Sequence, residues 1–197
     1  DSVSHLSDHA FQNNRLETIS ISKDTDFNSS TLPASTAIIS RSGNDIPAAN
    51  NSSILTKSLA QALVDEQGLN IIIPANYTEI QFYAFEGQQL NSVEIPDSIT
   101  YIGENAFDGN HLTAIEIPDS VTSIGGYAFR GNQLTSVNLG NNVENISLHA
   151  FTGNQLTSIE IPNSVTKIGN YAFSGNQLTS VEIPDSVSHL SDHAFQN

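Results

Sequence analysis

Apolar and polar positions alternate along most of this chain with a period far longer than any single helix or strand. Ala-Phe pairs place phenylalanine at 85, 107, 129, 151, 173 and 195, every interval being 22 residues. Six matches in phase predict self-similar structural units that stack on one another. Leu90, Leu112, Leu134, Leu156 and Leu178 keep the same phase. They precede the alternating pairs Val93/Ile95, Ile115/Ile117, Val137/Leu139, Ile159/Ile161 and Val181/Ile183, which read as short strands with one face turned inward. Pro74, Pro96, Pro118, Pro162 and Pro184 close each strand, because proline donates nothing to a ladder; Gly140 takes that place once.

A second apolar set follows each turn, for example Ile99, Ile102, Ala106 and Phe107, then Val121, Ile124, Ala128 and Phe129. Both sides of the coil therefore point inward. A unit of 22 residues has too little surface to enclose a core alone, so coils must cover one another, with strands about 4.8 Å apart. The pairs Gly109-Asn110, Gly131-Asn132, Gly153-Asn154 and Gly175-Asn176 mark the opposite corner. Glycine there permits positive φ, and the asparagines are expected to satisfy backbone groups of neighbouring coils.

The units Gly131 to Ala150 and Gly153 to Ala172 carry GNQLTS, a strand ending in Leu or Ile-Pro, and then an SVTxIGxxAF-like stretch. In these features the chain resembles the BspA-type leucine-rich repeats, over residues 69–197 and 1–22. The resemblance implies a leucine-rich-repeat solenoid, mainly β with parallel stacked strands. It further implies a secreted or surface-attached microbial protein acting as an adhesin or binding scaffold, and no catalytic residues.

Residues 1–13, DSVSHLSDHAFQN, are identical to residues 185–197, an offset of 184 residues. Neighbouring coils differ at several positions, so an identity of this length points to a larger repeat. The segment after Asn13, with Asn14, Arg15, Leu16 and a strand at Ile19 to Ile21, is the continuation expected after Asn197. Three parts follow: 1–22 as the end of a repeat block, 23–68 as a cap or junction insert, and 69–197 as the solenoid. Within the insert, Thr36 to Ser40 reads as a strand. Leu55, Leu59, Leu63 and Val64 read as one helix face, with Ser52 or Ser53 as its cap and Gly68 at its end.

Composition narrows the partners. The chain has 21 acidic against 6 basic residues and a net charge of -15, which excludes the clustered cations that nucleic-acid binding needs. Cysteine is absent, so neither disulfides nor thiolate metal sites hold the fold. No apolar run approaches the roughly 20 residues of a membrane helix, and any export signal is expected outside these residues. An extracellular or cell-surface location is expected, without membrane insertion.

Two columns carry the candidate chemistry. Glu94, Glu116, Asn138, Glu160 and Glu182 align on outward strand positions, with Asp97, Asp119, Asn141, Asn163 and Asp185 just past the turn. These carboxylates form either a solvated face or a face for calcium or a partner. Tyr83, Tyr127 and Tyr171 share a second column with His149 and His193, an aromatic ladder for packing, for carbohydrate or for a neighbouring filament. Asp24, Asp26 and Asn28 have the spacing that opens a calcium loop, but Ser29 and Ser35 replace its usual glycine and distal glutamate. His5 with His9, and His189 with His193, do not converge on an extended coil as they would on a helix. Sequons at Asn28, Asn50, Asn51, Asn76 and Asn145 are expected by composition. Polar residues repeat with the architecture instead of converging, so the chain is read as no enzyme and as needing no cofactor. The expected function is an extracellular structural or adhesive filament of tandem 184-residue units, joined covalently or head to tail with itself. The alternative is a binding module for protein or carbohydrate.

Overall fold

In a computed structural model, the residues described are 18–21, 37–40 and 53–196. The chain divides into two compact units, 1–52 and 53–197. In the first, β1 (Thr18–Ile21) pairs in parallel with β2 (Ala37–Ser40), matching the two strands expected there. β1 begins seven residues after Phe11, the interval that separates Phe85 from β6, Phe107 from β8 and Phe129 from β10 in the second unit.

The second unit is a parallel β-solenoid. One ladder, here the rear ladder, has seven strands in the order β13-β12-β11-β9-β7-β5-β3. These are β3 (Ile54–Leu55), β5 (Glu79–Ile80), β7 (Tyr101–Ile102), β9 (Ser123–Ile124), β11 (Asn145–Ile146), β12 (Lys167–Ile168) and β13 (His189–Leu190). The front ladder comprises β4 (Asn70–Ile72), β6 (Ser92–Glu94), β8 (Ala114–Glu116) and β10 (Ser136–Asn138). It pairs only as β4 with β6 and β8 with β10. The sequence places further strands at Ile159/Ile161 and Val181/Ile183, and this is corrected: the alternation persists, with Ile159 and Ile161 buried, but no strand pairing forms there. Burial of every second side chain sets the alternation, whereas ladder bonding also needs adjacent coils to close up on the front side.

Between the two faces lies a core filled mainly by apolar side chains. Phe85, Phe107, Phe129, Phe151 and Phe173 are fully buried. Their rings stack coil on coil at 5.2–5.3 Å, as the repeat requires. At the far corner Gly109, Gly131, Gly153 and Gly175 have φ of 63–68°, a region open to glycine at little cost. Each following asparagine is buried and bridges coils. Asn132 Oδ1 accepts from the Leu112 N–H, and its Nδ2 donates to the Phe107 and Phe129 carbonyls. Asn110, Asn154 and Asn176 repeat that pattern, which confirms the structural role read from the Gly-Asn pairs.

The helix of the insert is present as α1 (Lys57–Gln67), ending at Gly68 as expected. Its cap is Thr56, whose hydroxyl accepts from the Leu59 N–H, and not Ser52 or Ser53. The correction follows from Leu55, which belongs to β3 and is fully buried; its apolar side chain serves a rung, so the helix starts after it. In this first coil α1 occupies the arc between rear and front ladders that a shorter stretch with the Ala-Phe pair, such as Gly103 to Phe107, fills in later coils. Lys57 pairs with Glu86 at 3.6 Å and Gln61 accepts from Gln88, tying the helix to the next coil.

Candidate functional site

The outward front-ladder residues line a groove of 950 Å³ that crosses four coils. Because strand side chains alternate, Val93, Ile115 and Ile117 pack inward while Glu94 and Glu116 point out, each exposed. Glu94, Asp97, Glu116, Asp119 and Glu160 bring five carboxylates to the groove, and no basic residue lines it. Asn138 and Asn141 supply a neutral stretch midway. Glu182 of the same sequence column is exposed but is not part of the lining. One carboxylate is engaged locally: Asp119 accepts from the backbone and side-chain amides of Asn141 at 2.7 and 3.2 Å. Gly140 permits this approach, since a Cβ there would lie 2.4 Å from the Pro118 carbonyl oxygen. Among the described residues no group of three or more His, Cys, Asp or Glu side chains is arranged to hold a metal ion. Asp24, Asp26 and Asn28 lie outside the described residues.

The aromatic column is continuous over four rings. Tyr127, His149, Tyr171 and His193 stack at 4.9 Å per step. Tyr83 stands apart, packed edge-on against Phe82, because Asn105 interrupts the column in the coil between. All six of these positions, Asn105 included, have φ between 55° and 60°. Bulky residues seldom adopt that region, and stacked rings worth about 0.5–1.5 kcal/mol per pair help to offset the strain. The stacked faces cover one another, so the column presents ring edges, not broad faces, to a partner.

His149 is also fixed by hydrogen bonds. The Thr152 hydroxyl donates to the Tyr171 carbonyl, which can only accept. Thr152 Oγ1 therefore accepts from His149 Nδ1 at 3.0 Å, which makes neutral His149 the Nδ1–H tautomer. Burial, then the nearby Arg130 charge, lowers the His149 pKa from its ordinary 6.5. Arg130 caps the column, its guanidinium 4.8 Å from the Tyr127 ring centre, and it forms two hydrogen bonds to buried Asp108. Sequence reading overlooked Arg130, although Asp108 sits one coil period before it and the register alone brings them together.

Chemically, the arrangement offers an elongated acidic groove and an aromatic edge. No helix among the described residues is long and apolar enough to cross a membrane.

Comparison with known proteins agrees with this architecture. No curated protein sequence matches the chain significantly. Among solved structures, a leucine rich cell surface protein from Faecalibacterium prausnitzii is 26% identical, with a TM-score of 0.52, over 91% of this chain and 42% of its own. The pneumococcal vaccine antigen PcpA is 27% identical, with a TM-score of 0.54, over 60% of this chain and 31% of its own. The chain thus spans less than half the length of either relative. The model of the BspA type leucine rich repeat region matches residues 66–178 in six copies. With that match across more than half of its residues, and with stacked 22-residue coils to account for it, the chain belongs to the BspA-type leucine-rich repeat family.

Proposed function

We propose that this chain is part of an extracellular, non-catalytic structural or adhesive protein, a filament or stalk in which 184-residue units follow one another in tandem. The observation that carries the reading is the identity of residues 1–13 with 185–197, in phase with the coils. β1 supports it by lying at the coil interval after Phe11, where a front-ladder strand belongs. Solenoids extend by nearest-neighbour stacking, so a repeat in register lengthens the rod without a new type of interface. A cell-surface location is favoured by the family and by the surface protein among the structural relatives. Electron microscopy of native material tests the proposal: rods with a regular axial repeat are expected, and discrete compact particles would refute it.

The front groove favours a second role, binding of a protein or carbohydrate partner along the stalk. Five carboxylates without a lining cation suit a basic protein segment above a neutral glycan. Binding of a lysine-rich peptide that weakens steeply with salt, and that is lost in a variant with Glu94, Glu116 and Glu160 changed to Gln, is the expected result. Binding unaffected by those changes would remove the groove from consideration.

A further inference from the structure

In the unit 53–197, the first strand of the front ladder is β4; one side pairs with β6, and on the other side the backbone of Ile72 is closed in an unusual way. Leu69 C=O accepts from Asn91 N–H, and Ile73 N–H donates to Glu94 C=O, so alternate residues of this segment face β6. Ile72, between them in alternation, turns its N–H and C=O to the opposite side. Both groups are taken by a single side chain. Ile72 N–H donates to Gln67 Oε1 at 2.7 Å, and Gln67 Nε2 donates to the Ile72 carbonyl at 3.2 Å. The primary amide thus offers the donor and acceptor that a neighbouring strand would offer.

The side chains around this edge are equally unlike those of later coils. Where the following rungs carry Glu94 and Glu116, this one carries Ile72, which is 58% exposed, and Leu69 is 40% exposed. Ile71 and Ile73 remain buried in the core. An exposed strand edge with apolar residues is a template for further pairing. Gln67 is the last residue of α1, and Gly68, with φ of 75°, turns the chain so that the side chain reaches back over the strand.

We propose that Gln67 is an edge lock, which occupies the Ile72 backbone groups on the side of β4 away from β6 and so hinders a parallel strand from a second copy of this chain from pairing there. A second copy is the occupant that fits, because a parallel strand on the side of β4 away from β6 would continue the rung-to-rung geometry of β4 with β6. With the lock in place, units join through the polypeptide and not by docking at β4, a consequence that rests on the tandem-unit reading above.

The test compares the wild-type chain with Gln67→Ala and with Gln67→Asn, whose amide is one methylene too short to bridge. Hydrogen exchange at the Ile72 amide and light scattering over a range of concentrations are the readouts, with unchanged thermal melting as the check that both variants are folded. Exchange about tenfold faster in dilute solution, the loss of one hydrogen bond, and association rising with concentration are expected for both variants. Gln61→Ala, on the same helix, should do neither. Folded Gln67 variants that stay monodisperse at concentrations well above those used for the wild type would overturn the proposal. That result is distinct from the imaging of native rods, which bears on the tandem arrangement alone.

Discussion

The coil corner rests on one asparagine doing three things at once. Asn132 satisfies the Leu112 N–H and two phenylalanine carbonyls, one in its own coil and one in the coil before. Replacing it with Leu fills the volume but strands a buried donor, so a loss of about 1–3 kcal/mol is expected from chemical denaturation. Phe129→Ala removes a ring stacked on both faces and should cost about 3–5 kcal/mol, as measured by the same method. At His149 the pH dependence has a definite sign. Its folded pKa lies below the unfolded value near 6.5, so the unfolded chain binds the proton more readily. Stability is therefore fully present above pH 6.5 and declines as pH falls through and below that value. His149→Tyr, which extends the neighbouring column, should flatten this part of the melting-temperature profile against pH. A profile unchanged by the substitution would mean that other groups set the acid response.

Elements in this molecule differ in how local their causes are. The rear strands are two residues long yet form an uninterrupted seven-stranded ladder, because the inward residues from Leu55 to Ile168, such as Ile102 or Ile124, are buried in the core; only at the last strand, β13, is the equivalent residue, Leu190, exposed. On the front face Gly140 is the exceptional position: its backbone lies against Pro118, and Asn141 reaches Asp119 as a result. Gly140→Ala should lower the melting temperature and disturb the β8–β10 pair, because the neighbour in the way is backbone and cannot rotate aside. Amide exchange at Asn141 is the local measurement, and it should quicken in that variant.

At the scale of the whole solenoid, acidic columns run along the stacking direction, so like charges are brought to coil spacing. Sodium chloride should raise the melting temperature by screening them. Calcium at equal ionic strength separates screening from site binding: an equal rise would leave the columns as a solvated face. An extra rise with calcium, reversed by chelator, would instead show preferential binding to the folded state.

The 22-residue spacing of phenylalanine, leucine and Gly-Asn determined the solenoid, its inward residues and its corner asparagines, because a repeated local pattern has one way to bury every copy at once. The columns Glu94/Glu116/Glu160 and Tyr127/His149/Tyr171 were likewise legible, since residues one period apart become neighbours. Irregular places were not legible. Leu55 looked helical from its spacing to Leu59 but serves a strand, and the front positions near Ile159 alternate without pairing. The Gln67 amide meets Ile72, five residues away, only after α1 and Gly68 have set the direction of the chain. Periodicity decides which residues face inward; the fit of backbone to backbone between particular coils, which only the tertiary structure settles, decides which edges pair and which side chains close them.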